Sequence, residues 1–494
     1  MNVILIMADQ LSARWLGCYG NPAASTPHLD DLAHSGVQFD RCVSPYPVCM
    51  PARASLITGR SAQHHGLWYN GWELAPGLTT FPQVLQGQGV QTFGVGKFHL
   101  ECHGRSAYND VRKWGFDQAQ TTEDIRAGHW LDWVEREHPA HFQRALATVW
   151  PMPHLNDYGP DHRDLLTEVR EAHAAHPPNV QARMTYPSII DAHVCQTRWV
   201  GNEAIQYIEN RDPSRPFFLK MSFVDPHDPY DPPAEYLDRI DPALVPEPLE
   251  SGDPALHRAV QRYQHVHFIR SFNEVTRDDW LTMRRYYLAS VAFIDDQVGR
   301  VMECLRSQGI ADDTLVIFTA DHGDMLGDYG LATKGGWHFD ACYRIPMIVA
   351  GAGVSPHRDP SMVTLLDIFP TVIDYMNAPD EVPVEGLSLR PVLEESGNLD
   401  RPDAALIESY GNYGVIDVDL RSRSVLTPQW HYTEFGDGSG MLFDLDNDPL
   451  ESTNLWDARD LACERTRLKC LMCDLMAHQN EPLPLRQRHP SAQH

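Results

Sequence analysis

The stretch Val3-Ile4-Leu5-Ile6-Met7-Ala8, followed directly by Asp9-Gln10, decides the fold class of this chain. An apolar run without polar alternation is typical of a strand that is buried on both faces of a sheet. Similar short apolar runs occupy residues 91–95, 216–223, 315–320 and 346–350. Helical patterns lie between them, for example over 281–308. We therefore predict an α/β sandwich with a large, mostly parallel sheet.

The chain has 494 residues, which is enough for a large core and two or three packing units. We expect a main domain over 1–400, with an insertion at about 102–179, and a smaller C-terminal α+β subdomain over 401–494 with a short antiparallel sheet and a helix. The aromatic residues and histidines of the insertion include Trp130, His138 and His141. Two interpretations of this insertion stay open, an irregular surface layer and an aromatic wall of a substrate pocket.

The balance of charge excludes several kinds of partner. Lys and Arg total 40 and Asp and Glu total 67, which gives a formal net charge of −27. Such an acidic chain is a poor partner for nucleic acid or an anionic membrane. No apolar run reaches the length of a transmembrane helix, and the N-terminus lacks the basic flank of a secretory signal. We expect a cytoplasmic protein that binds neither nucleic acid nor membrane, and the sequence leaves homo-oligomer formation open.

Polar side chains follow the predicted strands at the point where each strand ends. Ligands of such sheets bind outside the carboxyl ends of the strands, so we expect Asp9, Asp321 and His322 to converge. Two carboxylates placed together repel each other unless a cation lies between them. Asp oxygens suit Ca²⁺, Mg²⁺ or Mn²⁺, whereas an imidazole favours a transition metal such as Mn²⁺. The sequence predicts one divalent metal ion and leaves the choice between Ca²⁺ and Mn²⁺ open.

The segment Cys49-Met50-Pro51-Ala52-Arg53 combines a cysteine with a helix start. Pro is favoured in the first turn of a helix, so Cys49 is predicted at a helix N-terminus, where the helix dipole lowers the pKa of a thiol. Arg53 lies one turn further on and faces the same side. The residues alone leave a second interpretation open, in which Cys49 is a small buried apolar side chain.

Taken together, the motifs resemble those of the type I sulfatases in the alkaline phosphatase superfamily. Cys49-x-Pro51-x-Arg53 with Thr58-Gly59-Arg60 is similar to the signature of that family. Further similar segments follow in the family's order: Asp9-Gln10, 26–30, Gly96-Lys97-Phe98-His99, 225–230, Asp321-His322-Gly323-Asp324 and 442–449. Asp9-Gln10 and Asp321-His322 look more like the choline sulfatase and phosphonate monoester hydrolase branch. The resemblance implies the alkaline phosphatase-like fold.

The resemblance also implies an activity and a maturation step. A formylglycine-generating enzyme would oxidise Cys49, and the hydrated aldehyde would hydrolyse a small anionic sulfate monoester through a covalent sulfo-enzyme intermediate. The metal ligands implied in this way are Asp9, Asp321, His322 and the residue at position 49. The other catalytic residues implied are Arg53, Lys97, His99, His227 and Lys334. Gln10 and Asn70 are implied as substrate-binding residues.

Two of these implied roles are proton transfers. By resemblance, His227 with Lys334 would protonate the leaving alcohol, and His99 would take the proton of the second aldehyde-hydrate hydroxyl. Lys97 and His99 alternate along a stretch that we expect to be extended, so both side chains should point the same way.

Three further functions stay open on the sequence alone. The first is a phosphonate monoester or phosphodiester hydrolase, which would use the same site because a phosphate diester and a sulfate monoester carry the same single negative charge. The second is an inactive relative that only binds its ligand. The third is a transferase that moves sulfate to another acceptor.

Overall fold

The computed structural model describes most of the chain. The described residues are 1–103, 105–150, 157–158, 185–262, 275–379, 382–395, 397, 399–410 and 421–478. The parts of the expected insertion at 151–156 and 159–179 lie outside the described residues, as does the end of the C-terminal subdomain from 479 onward.

Thirteen strands lie within the described residues. They are β1 (Asn2–Ala8), β2 (Gly36–Val43), β3 (Gln91–Gly96), β4 (Gln118–Thr121), β5 (Phe217–Ser222), β6 (Thr314–Ala320), β7 (Arg344–Ile345), β8 (Met347–Gly351), β9 (His357–Thr364), β10 (Ala405–Ser409), β11 (Ser422–Leu426), β12 (Trp430–Phe435) and β13 (Gly440–Asp444).

The α-helices within the same residues separate most of these strands. They are α1 (Pro27–His34), α2 (Cys49–Thr58), α3 (Ala62–His65), α4 (Phe81–Gly87), α5 (His129–Glu137), α6 (Phe142–Ala147), α7 (Gln196–Asn210), α8 (Ala234–Leu237), α9 (Pro254–Gln261), α10 (Arg277–Ser307), α11 (Asp340–Tyr343), α12 (Ile368–Tyr375), α13 (Arg390–Glu395) and α14 (Ala462–His478). Among the helices described, none is both long and apolar enough to cross a bilayer.

The main sheet has nine strands in the order β4-β3-β5-β1-β6-β8-β2-β7, and β9 pairs with β2. Strands β4, β3, β5, β1 and β6 are parallel, whereas β8 runs antiparallel to β6 and to β2. Every residue of β1 is buried, as its unbroken apolar run predicts. The predicted fold class is confirmed, and the sheet is mixed on the β8 side.

This topology positions the site. Because β1, β3, β4, β5 and β6 are parallel, their carboxyl ends meet at one edge of the sheet. Strand β2 runs in the same direction, since it is antiparallel to β8, and it delivers the start of α2 to that edge. The long helix α10 packs against α1 and α7 with Tyr287, Val291, Ile294 and Val298 buried.

The C-terminal part contains a second sheet of four antiparallel strands, β10-β11-β12-β13, with α14 against it. Sequence patterns at 425–427, 430–433 and 441–444 predict three of these strands, and a pattern at about 461–478 predicts the helix, so β10 is the additional strand. The imidazole of His338, in the loop after β6, contacts this sheet, with Nδ1 2.7 Å from Ser424 Oγ and Nε2 2.9 Å from Ser409 Oγ. The boundary at residue 400 stays a prediction.

The described part of the expected insertion contains regular secondary structure, and the aromatic pocket wall stays a prediction. Its residues Gln118–Thr121 form β4, which pairs with β3 at the edge of the main sheet. Trp130 is buried, and its indole donates a hydrogen bond to Val194 O at 2.9 Å. This strand is not visible in the sequence, because Gln118-Ala119-Gln120-Thr121 contains no apolar run. A strand at the edge of a sheet does not need one.

Candidate active site

Cys49 is the first residue of α2, and its side chain is fully buried. The Sγ atom lies 3.1 Å from His322 Nε2 and 3.9 Å from Asp9 Oδ1. The residue before the helix is Val48, which offers no side-chain cap, and Asn70 Oδ1 accepts the Met50 N–H at 3.0 Å instead. The predicted position of Cys49 at a helix N-terminus is confirmed.

Four potential metal ligands converge beside this helix. Asp9, Cys49, Asp321 and His322 are all buried, and one ligand atom of each lies within 4.8 Å of the others. His322 Nδ1 donates to Gly323 O at 2.9 Å, which leaves Nε2 facing the thiol and the two carboxylates. Two carboxylates and an imidazole fit a divalent cation, as expected from the strand ends.

Arg53 lies between the two carboxylates. Its Nε donates to Asp321 Oδ2 at 2.7 Å and its Nη2 donates to Asp9 Oδ2 at 3.0 Å. Its Nη1 donates to Lys97 O at 2.9 Å and to Ser222 Oγ at 3.0 Å. Burial works against the Asp9 carboxylate, but Lys97 and Arg53 overcome it and hold the pKa of Asp9 well below its usual value. The guanidinium fixes the carboxylates for any cation they bind.

Lys97 follows β3 and contacts two acids. Its Nζ forms an ion pair with Asp9 and lies 2.5 Å from Asp124 Oδ1. Burial disfavours the ammonium, yet Asp124 and Asp9 together raise the pKa of Lys97. Asp124 Oδ2 also lies 3.8 Å from His227 Nε2, so one buried carboxylate faces two of the expected catalytic cations.

The extended conformation expected for the stretch from Lys97 to His99 is wrong at His99. His99 has φ 48°, in the left-handed region, and Glu123 Oε1 accepts the backbone N–H groups of Phe98 and His99 at 3.0 and 3.1 Å. The His99 ring stacks on His103 with centroids 3.9 Å apart. Burial and His103 hold the pKa of His99 well below its usual value. Its assignment as a base stays a prediction.

The structure brings His227, Lys334 and Gln10 together. Lys334 Nζ contacts His227 Nε2 and donates to Gln10 Oε1 at 2.6 Å. His227 Nδ1 donates to Asp228 O at 2.7 Å, and Gln10 Nε2 donates to Asp324 Oδ2 at 2.5 Å. Gln10 therefore positions Lys334. The substrate-binding roles of Gln10 and Asn70 stay predictions.

Sequence reasoning missed three residues that hold this site. Asp228 and Asp324 lie inside segments already singled out, next to His227 and Asp321-His322, so their positions were visible although their contacts were not. Asp124 gave no signal in the sequence, because the strand that precedes it, β4, is not visible as an apolar run.

Comparisons with known proteins identify the family. A family model described as Sulfatase matches residues 1–378. The arylsulfatase of Clostridium perfringens is 28% identical over 475 residues, covering 93% of this chain and 91% of that relative. The choline-sulfatase of Rhizobium meliloti is 27% identical over 472 residues, covering 92% of this chain and 82% of the relative.

Solved structures show the same fold. The phosphonate monoester hydrolase of Agrobacterium radiobacter superposes with a TM-score of 0.80 at 24% identity, covering 97% of this chain and 96% of that chain. This likeness concerns the fold alone. Because the family model spans well over half of the chain, this chain belongs to the sulfatase family of the alkaline phosphatase superfamily and is a sulfuric ester hydrolase.

Proposed function

We propose that the chain hydrolyses sulfate monoesters with a formylglycine derived from Cys49 and one divalent metal ion, Ca²⁺ or Mn²⁺. The observation that carries this proposal is the convergence of Asp9, Cys49, Asp321 and His322 at the start of α2. The hydrated aldehyde supplies an oxygen nucleophile that can later release sulfate by reforming the carbonyl, and the metal supplies positive charge that favours its deprotonated form.

The cations of the site explain how an acidic chain accepts an anionic ester. The protein as a whole carries −27, yet Arg53, Lys97 and Lys334 are buried together at the edge of the sheet. Positive charge buried in a site of low dielectric is effective against the sulfate oxygens and against charge that develops during the reaction. The substrate is a small anionic ester whose organic group the site does not define.

We assign proton transfer to two groups. His227 contacts Lys334 and lies near Asp124, so the pair can deliver a proton to the leaving alcohol. Burial keeps the imidazole of His99 neutral, which is the form that accepts a proton from a hydroxyl at position 49. These roles give one acid and one base in a single buried site.

The first experiment is mass analysis of the peptide around Cys49, in protein made in a host that contains a formylglycine-generating enzyme. We expect one sulfur and two hydrogens to be replaced by one oxygen. Ala52 stands where the family more often has Ser, and an Ala52→Ser variant is the matched control. An unmodified thiol in the wild-type chain, with conversion in the variant, would refute formylglycine catalysis by the natural sequence.

Metal content is measured separately from activity. We expect the purified chain to bind one ion that Asp321→Asn loses, measured by elemental analysis after gel filtration. Removal by a chelator should abolish hydrolysis, and re-addition of Ca²⁺ or Mn²⁺ should identify the ion that restores it. Equal metal content in the wild type and Asp321→Asn would contradict the proposed ligand set.

The second candidate function is hydrolysis of phosphonate monoesters or phosphate diesters, and a parallel assay tests it. Asp9-Gln10 and Asp321-His322 resemble the choline sulfatase and phosphonate monoester hydrolase branch, and a singly charged phosphate diester would use the same site. Lys97 and His99 favour the sulfate ester, because that branch departs from the Gly-Lys-x-His pattern. A sulfate, a phosphonate monoester and a phosphate diester of one aryl alcohol, compared by kcat/KM, decide between the two.

A further inference from the structure

Three histidines gather beside the end of α5, and none of them is among the residues assigned to hydrolysis. The ring centroids of His138, His141 and His193 form a triangle with sides of 6.4, 5.5 and 5.4 Å. Their planes are nearly perpendicular in pairs, at 78°, 71° and 87°.

Two separate segments deliver these side chains. His138 directly follows α5, and His141 closes the next turn with its N–H donating to His138 O at 2.8 Å. His193 lies in the turn before α7, where Val194 N donates to Asp191 O at 2.8 Å. The indole of Trp130, on α5, donates to Val194 O and holds the two segments together. The fold therefore fixes the backbone on both sides of the cluster.

A carboxylate completes the group. Asp191 Oδ2 lies 3.8 Å from His141 Nε2, and one ligand atom each of His141, Asp191 and His193 lies within 4.8 Å of the others. His141 Nδ1 is buried and has no hydrogen-bond partner among the described residues. The protein thus concentrates nitrogen and oxygen donors here without satisfying all of them.

We propose that His141, His193 and Asp191, joined by His138 after a side-chain rotation, bind one divalent transition metal ion of the zinc class, as a second metal site. Three imidazoles and one carboxylate select a transition metal over Ca²⁺ or Mg²⁺. Imidazoles on one tetrahedral ion have ring centroids about 5 Å apart, since the metal–nitrogen distance is about 2.0–2.1 Å. The observed triangle is slightly wider, so small side-chain rotations bring the ligands onto the ion.

The site has a structural role. An ion bound there joins the end of α5 to the turn before α7 and closes the segment between them into a loop. Because these ligands come together only in the folded chain, the ion stabilises the folded state by its binding free energy. None of the four ligands belongs to the proposed hydrolytic site, so the second metal site does not depend on the proposed function.

The test is a Co²⁺ titration of the metal-free full-length protein, followed by visible absorption and by counting bound ions. We expect the wild type to bind one equivalent more than His193→Ala, with the intense absorption of tetrahedral cobalt, and we expect Asp191→Asn to weaken that equivalent by more than about tenfold. His257→Ala, at an exposed histidine elsewhere, is the matched control and should behave as the wild type.

Thermal melting gives a second readout. With Ca²⁺ present throughout, a stoichiometric amount of Zn²⁺ should raise the melting temperature of the wild type and of His257→Ala but not of His193→Ala. Identical stoichiometry, spectrum and zinc response in the wild type and His193→Ala would overturn the second site. Binding only at millimolar Zn²⁺ would overturn it as well.

Discussion

Lys97 Nζ lies 2.5 Å from Asp124 Oδ1, and both side chains are buried at the carboxyl edge of the main sheet. Lys97 follows β3, and Asp124 follows β4 at the edge of the same sheet. Lys97 also pairs with Asp9, so its charge is shared between a potential metal ligand and a carboxylate outside the metal group. Asp124 thus helps to fix the position of the Lys97 ammonium.

Asp124→Asn tests this relationship. Asn keeps the size and one acceptor oxygen but removes the charge that holds Lys97, so the ammonium should shift toward Asp9. We expect kcat/KM for an aryl sulfate to fall at least about tenfold, which corresponds to about 1.4 kcal/mol of transition-state stabilisation. Asp110→Asn, in an exposed ion pair of the same chain region, is the control. Wild-type kinetics in Asp124→Asn would show that Lys97 needs no second counter-ion.

Arg53→Lys tests the link between the two carboxylates. A lysine cannot donate to Asp9, Asp321, Lys97 O and Ser222 at once, because it lacks the planar fork of the guanidinium. We expect kcat to fall by more than about 100-fold and metal content to fall with it. Arg41→Lys, at a half-buried position whose guanidinium donates to Pro360 O, should change neither. Full metal occupancy with normal kcat in Arg53→Lys would contradict the role given to the guanidinium.

Most of the metal group could be predicted because the strands that lead to Asp9 and Asp321 are buried along their whole length. Asp9 and Asp321-His322 follow unbroken buried runs, and parallel strands must end at one edge. Cys49 and Arg53 were visible through Pro51 and the helix that follows. What the sequence concealed depends on backbone conformation. At His99 the φ of 48° departs from extended geometry, and Glu123 holds the backbone in this conformation. No residue pattern predicts such a departure.

The buried imidazole of His65 should make the stability of the protein depend on pH. Its ring is buried beneath α2, where Leu67 N donates to Nδ1 at 3.0 Å and Nε2 lies 3.1 Å from Ser55 Oγ. Burial lowers the pKa of His65 from its usual 6.5 to about 3. Below pH 6.5 the His65 imidazole becomes protonated in the unfolded chain but stays neutral in the folded chain. His65 therefore makes the stability fall as the pH drops from 6.5 toward 3.

His65→Gln isolates this contribution. At pH 5 we expect His65 to lower the free energy of unfolding of the wild type by about 2 kcal/mol relative to pH 7. Gln retains an acceptor for Leu67 N–H but does not titrate, so its stability should fall less over the same range. Denaturant unfolding at pH 7 and pH 5 measures the difference. Parallel pH dependence in both proteins would show that His65 is protonated in the folded state.

Asn70 has two roles that mutation can separate. Its side-chain oxygen caps α2 at Met50 N–H, next to Cys49, and resemblance assigns it to substrate binding. Asn70→Ala should lower stability by about 1 kcal/mol, the usual cost of a lost helix cap. Asn70→Asp keeps an acceptor at the positive end of the helix and should restore the melting temperature. Its new negative charge opposes an anionic ester, so we expect kcat/KM to stay at least about tenfold below the wild type. An Asn70→Asp enzyme with both normal stability and normal kcat/KM would make Asn70 a helix cap alone, because a substrate contact could not tolerate that charge.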